Sequence, residues 1–161
     1  MAVETEVLNE LHRLRSRIPE LTGALAAGAD GLVLAEDMPD VQPEGLAALT
    51  AAALGVGRRM VDLADRGEFR ELLVRGAGGY LATYAAGPSA VLTLIADDRA
   101  NVGRLHLEGR RGGARIAELL AARSTDHGPV VHGGGPPAAQ FRGRILGALP
   151  IRIPPQSRYE P

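Results

Sequence analysis

Residues 43–66, PEGLAALTAAALGVGRRMVDLADR, carry apolar side chains around too much of a helix for that helix to have one neighbour. Leu46, Leu49, Ala53, Val56, Met60 and Leu63 step by three and four, the spacing of a single helical face. Leu54 and Val61 lie well outside that stripe, and Ala64 sits near its edge. At about 100° per residue the apolar arc covers roughly half the circumference, whereas packing on one sheet takes only about 100°. The surplus requires a second partner. Pro43 suits a first helical position, Glu44 suits the positive end of the dipole, and Gly67 ends the run.

The elements around this helix follow from their own patterns. Val3, Val7, Leu11, Leu14 and Ile18 predict a helix over 3–18, closed by Pro19. In LTGALAAGADGLVLAED, Asp30-Gly31 supplies the tolerance of positive φ that a tight turn needs, which predicts strands near 21–28 and 31–36. Small and aliphatic residues on both faces of these strands call for layers above and below the sheet. EFRELLVRG (68–76), YLATYAA (80–86) and SAVLTLIAD (89–97) read as three further strands joined by glycine turns. The last is a central strand: Val91 and Ile95 face one way, Leu92 and Leu94 the other. A final helix runs from Asn101 to about Ala122, although Gly103, Gly109, Gly112 and Gly113 each weaken it. Beyond Arg123 lie 7 of the 11 prolines and three consecutive glycines. That composition predicts one domain over 1–122 and a Pro/Gly-rich tail over 123–161.

Composition narrows the chemistry. The formal net charge of −1 gives no electrostatic reason to bind nucleic acid or an anionic membrane. With no cysteine there are no disulfides and no thiolate chemistry. The charged N-terminus lacks the apolar core of a signal peptide, and no run approaches the roughly 20 apolar residues of a membrane helix. A cytoplasmic protein with no membrane insertion is the expectation. All 18 basic residues are arginine, so Schiff-base lysines and a P-loop lysine are both excluded.

No catalytic set emerges. Gly76-Ala77-Gly78-Gly79 and Gly112-Gly113 match no dinucleotide fingerprint and read as turns and genomic glycine richness. His127 and His132 lack the companions of a zinc site. Arg104, Arg110, Arg111 and Arg115, interleaved with Glu108 and Glu118, read first as a solvated helix face and second as a surface for an anionic partner. Arg58 and Arg59 stand beside the small residues Ala48, Ala52 and Gly55, and this strip reads equally as a docking surface or as alanine richness alone. The expectation is therefore a non-enzyme with no cofactor and no metal.

The order α-β-β-α-β-β-β-α, with GALAAGADGLVLAED, YLATYAAGPSAVLTLIAD and NVGRLHLEGRRGGARIAELL, resembles the roadblock/dynein-light-chain family. The likeness is to its actinobacterial conservon-type and MglB-like members, and it covers residues 3–122. It implies an α+β fold: a three-layer α/β/α roadblock domain with a five-stranded antiparallel sheet, the long helix on one face and the other two helices opposite. It also implies a homodimer through the long helices and the strand after them, with Leu54, Met60, Val61, Leu63, Phe69, Leu72 and Val74 at the interface.

By the same resemblance the partner in trans is a small Ras-like GTPase, whose own catalytic groups such proteins arrange around the γ-phosphate. The other reading is a passive scaffold linking a sensor kinase to further signalling proteins. If the helix buries one side on the sheet and another on its twin, the strip left over holds Ala48, Ala52, Gly55, Arg59, Asp62 and Arg66. That strip is the expected partner surface.

Overall fold

The computed structural model describes residues 2–126. The tail expected over 123–161, with His127 and His132, falls outside the described residues from position 127 onward. Eight elements follow one another: α1 (Ala2–Arg17), β1 (Leu21–Gly28), β2 (Val33–Asp37), α2 (Pro43–Leu63), β3 (Glu71–Gly76), β4 (Gly79–Ala85), β5 (Ala90–Asp97) and α3 (Val102–Asp126). The five strands form one antiparallel sheet in the order β2-β1-β5-β4-β3. β5 therefore returns beside β1 at the centre, and β2 and β3 are the two edges.

Period-two alternation divides the core into two halves. Ala24, Ala26, Leu92, Leu94 and Tyr84 point to the side covered by Val7, Leu11, Leu14 and Ile18 of the α1 segment and Leu105 and Ile116 of α3. Leu25, Ala27 and Val91 point to the opposite side, under Ala47 and Leu54 of α2. This is the three-layer α/β/α roadblock arrangement. The first hairpin turns where Asp30-Gly31 stands. Gly31 has φ +84°, and the Asp30 carboxylate accepts the Leu32 amide at 3.1 Å. Its strands are structural members of the sheet, and β2 starts two residues later than the pattern suggests.

Two expectations need correction. The strand expected over 68–76 begins only at Glu71, so Phe69 precedes it and is buried instead. The glycines of α3 do not interrupt that helix, which continues past Ala122 to Asp126. Gly109, Gly112 and Gly113 let it pack closely on the sheet and on α1. A β-carbon on Gly109 would collide with the Tyr84 ring, and one on Gly113 would come within 2.9 Å of the Ala85 carbonyl oxygen. One on Gly112 would fall 2.8 Å from Leu14. The propensity lost at these three glycines is returned as close packing against the sheet and α1.

Glycine-to-alanine exchange should thus act in opposite directions at two positions. Gly109→Ala should destabilise by about 1–3 kcal/mol through overpacking against Tyr84. Gly55→Ala, where an added β-carbon meets nothing within 4 Å, should stabilise by about 0.5–1 kcal/mol through helix propensity. Urea unfolding of the two variants against the parent measures both signs.

Candidate functional site

The helix α2 has three distinct faces. Against the sheet it buries Ala47, Thr50, Leu54 and Gly57, with Leu46 and Val61 packed partly beneath it. Small residues serve here because the helix must approach closely. A β-carbon on Gly57 would collide with the ring of buried Phe69. Under the helix, the hydroxyls of Thr83 and Thr93 share a hydrogen bond at 3.4 Å, and Thr50 donates to the Ala47 carbonyl at 3.2 Å.

The larger apolar side chains point away from the sheet. Leu49 is 69% exposed, Val56 61%, Met60 61% and Leu63 73%, and Val74 on β3 is 51% exposed. At about 100° per residue the four helix positions fall on one flank, about a third of a turn from the sheet-facing side. Next to this flank a cavity of about 370 Å³ opens between α2 and β3, lined in part by Met60, Val61, Phe69 and Leu72 with Arg66 and Arg70. The third face carries Ala48, Ala52, Gly55, Arg59, Asp62 and Arg66, all exposed, the last of them just past the helix end. An added β-carbon at Gly55 meets nothing, so this face is open and shallow.

The expected interface set is therefore only partly on the surface. Met60, Leu63 and Val74 are exposed, and Val61 and Leu72 are half-buried in the α2 side of the core. Leu54 and Phe69 are corrections: at 1% and 6% exposure they belong to the protomer's own core and offer nothing to a partner. That set omits Leu49 and Val56, which stand on the exposed flank. The signal for them was present, since both lie in the unbroken stripe from Leu46 to Leu63. What the pattern lacked was any sign of which apolar arc faces the sheet.

The arginines separate as well. Arg58 donates to the carbonyls of Gly87 (3.4 Å) and Pro88 (3.1 Å), tying α2 to the β4–β5 turn. Arg59 faces solvent. On α3, Arg111 pairs with Glu108 at 3.3 Å and Arg115 with Glu118 at 3.0 Å, as a solvated face does. Arg110 instead grips Glu71 of β3 through both Nε (2.6 Å) and its terminal nitrogen. His106 Nδ1 lies 3.7 Å from the same carboxylate and 3.1 Å from the Tyr84 hydroxyl, which also donates to the Leu105 carbonyl at 3.2 Å. The hydrogen bond from Arg110 holds the Glu71 carboxyl below the usual range, and burial pushes the Tyr84 phenol up. This cluster fastens α3 to the edge strand. Among the described residues, no group of three or more His, Asp or Glu is placed to hold a metal, and no helix is long and apolar enough to cross a membrane.

This three-layer α/β/α domain keeps the large apolar flank of α2 outside. The chain belongs to the Roadblock/LC7 domain family, which it matches over residues 7–96. Two uncharacterized proteins of Methanocaldococcus jannaschii are each 27% identical to it over 115 residues, 71% of this chain and 96% of theirs. Among solved structures, the gliding protein MglB of Thermus thermophilus shares the fold with a TM-score of 0.70 at 24% identity, over 76% of this chain and 93% of that one. A Roadblock/LC7 domain from Streptomyces avermitilis gives 0.66 at 24% identity, over 71% of this chain and 97% of its own. MglB of Myxococcus xanthus gives 0.68 at 19% identity, over 74% and 90%.

The tie between α3 and β3 should be visible in pH-dependent stability. A carboxyl whose folded pKa is lowered stabilises above its unfolded pKa, and that contribution is lost as pH falls through the folded value. Glu71→Gln should therefore melt below the parent at pH 7, with the gap closing as pH falls below the ordinary carboxylate range and through the lowered Glu71 value. Because Arg110 is 58% exposed, the gap should also shrink in high salt.

Proposed function

We propose that this protein is a non-enzymatic regulator or adaptor of a small Ras-like GTPase, working as a homodimeric platform. The observation that carries the reading is the outward apolar flank of α2, Leu49, Val56, Met60 and Leu63, beside the open edge of β3 with Val74. Burying a side chain of this size is worth about 1.5–3 kcal/mol, and several together can exceed the entropy lost on association. A second copy supplies a matching flank and edge by symmetry. One MglB of the same fold, with a TM-score of 0.70, has a tetrameric arrangement, which is consistent with self-association in this architecture.

With one side of α2 on the sheet and another on its twin, the strip Ala48, Ala52, Gly55, Arg59, Asp62 and Arg66 remains outward and is presented twice. Small residues make it shallow enough for a switch region to lie across it, and Arg59 and Arg66 can pair with acidic residues there. A platform that binds one switch conformation better than the other shifts the population toward it. Such a shift is how a protein without a catalytic residue can promote hydrolysis. A passive scaffold for a sensor kinase would use the same strip without that preference.

Light scattering should give about twice the 16.8 kDa chain mass, and Met60→Arg or Leu63→Arg should reduce it toward one. Both side chains are exposed in the protomer, so these variants should keep their fold by circular dichroism. Partner binding is checked by titration calorimetry with a Ras-like GTPase encoded beside this protein. Ala52→Arg should abolish binding while the dimer persists, and Arg59→Glu should weaken it. Equal affinity for the GDP and GTP-analogue forms would favour the scaffold.

A further inference from the structure

The α1/α3 layer, on the face of the sheet away from α2, holds a carboxylate that its own surroundings serve only in part. The two helices run antiparallel, and their contacts step along a constant register. Arg17 pairs with Glu108 at 3.1 Å, and a turn back along α1 the side chain of Leu14 packs where Gly112 makes room. The same register brings Glu10 level with Arg115 and Glu6 level with Leu119. Glu10 and Arg115 do not pair. A cavity of about 280 Å³ opens there instead, lined by Glu6, Asn9, Glu10 and Arg13 of α1 and by Arg115 and Leu119 of α3.

Among the described residues, Glu10 is the one charged side chain in the core, at 6% exposure. A carboxylate so deep needs its lost hydration replaced by hydrogen bonds. Arg13 supplies one, from a single terminal nitrogen to Oε1 at 2.7 Å. The second oxygen accepts none from the described residues. No fully buried polar side-chain atom among them lacks a partner, so this oxygen reaches the open space of the cavity. Arg115, the cation on the opposite wall, is turned to Glu118 of its own helix at 3.0 Å. Glu6 and the Asn9 amide, both exposed, have no hydrogen bond or ion pair with the described residues.

What the cavity leaves unserved is therefore acceptor capacity. It comes from Glu6, Asn9 and Glu10, at i, i+3 and i+4 on one flank of α1. Both cations of the lining are already engaged, Arg13 by Glu10 and Arg115 by Glu118. A group that completes the site must be a cation with several donors. Guanidinium meets this better than ammonium, because its planar fork serves two acceptors at once. It is also less strongly hydrated, so partial burial costs it less. Leu119, half-buried on the α3 wall, offers apolar surface to a methylene stem.

We propose that the α1–α3 groove is a docking site for an arginine side chain presented by a partner protein. Glu10 and Glu6 receive the guanidinium, and Leu119 receives the stem. The site lies in the layer opposite α2 and uses none of the residues assigned above to self-association or to the GTPase-facing strip. The inference thus goes beyond the reading of α2. A chain with both surfaces holds a second protein while α2 is occupied, which is the geometry an adaptor needs. One docked side chain adds selectivity for the partner more than affinity, since most of its charge contact stays near solvent.

Nuclear magnetic resonance of the isotope-labelled full-length chain, titrated at low salt with N-acetyl-arginine methylamide, reads the site in isolation. Amide shifts should concentrate on residues 6–13 and 115–119 and saturate with a Kd on the order of millimolar, as a single charge-assisted contact gives. The citrulline analogue, matched in shape but uncharged, should give no saturable shift. The lysine analogue should bind roughly threefold more weakly than arginine. Glu10→Gln should weaken arginine binding roughly tenfold. Glu6→Gln, at an exposed position that folding does not depend on, should weaken it roughly threefold. Arg115→Ala removes a like charge from the opposite wall and should strengthen it about twofold.

Shifts scattered over the surface, or equal shifts with the citrulline analogue, overturn the site. Equal binding of the lysine analogue overturns the choice of guanidinium. Binding untouched by both glutamate variants, or weakened by Arg115→Ala, overturns the placing of the cation on Glu10 and Glu6. Each of these failures leaves the reading of α2 standing, since no residue of α2 takes part.

Discussion

The close seat of α2 on the sheet organises the rest of this molecule. Ala47, Thr50 and Gly57 let the helix come down over Thr83 and Thr93, and Phe69 fills the space that a side chain on Gly57 would take. A helix seated by its small residues must carry its large ones elsewhere. Leu49, Val56, Met60 and Leu63 consequently face out. In a solitary domain that arrangement forfeits the burial of the most apolar side chains on the element. It becomes favourable when a second surface covers them.

The opposite layer follows the same physical rule with a different result. Gly109, Gly112 and Gly113 bring α3 onto Tyr84, Leu14 and Ala85, and the helix leaves little that is large and apolar outside except Leu107. Its exposed side is salt-bridged: Arg17 with Glu108, Arg111 with Glu108, Arg115 with Glu118. One pair departs from that pattern by crossing to the sheet. Arg110 reaches Glu71 at the start of the edge strand, so α3 helps hold the strand whose outer side is open. The two layers thereby converge on β3, one through apolar contact and the other through charge.

Much of this was legible in the residues. The stepping of Val7, Leu11 and Leu14, the Asp30-Gly31 turn and the two-sided strand at 90–97 each announce an element, because helix and strand periods are written in side-chain spacing. The width of the apolar arc announced that α2 carries more apolar surface than the sheet covers. The candidate surface was legible in part. All six residues of the small, charged strip are exposed as their positions on the wheel required. Leu54 was not legible as core, since an apolar residue in a wide arc carries no label saying which neighbour it meets, and Phe69 was not because the pattern started the strand too early. The glycines of α3 mislead for a related reason. Propensity counts what a glycine loses within its helix and cannot see the tyrosine ring that needs the room.

Local periodicity is a property of the chain by itself, so the sequence determined the number, kind and order of the elements and the width of the apolar arc on α2. Which arc of α2 meets the sheet is decided by distances between elements far apart in the chain. It depends on Gly57 meeting Phe69, on Thr83 meeting Thr93, and on how near the helix can come before side chains collide. Strand order is of the same kind: β5 returning beside β1 is what leaves β3 at an edge. Only the tertiary structure could decide these, because steric fit and hydrogen-bond direction exist between segments and not within them.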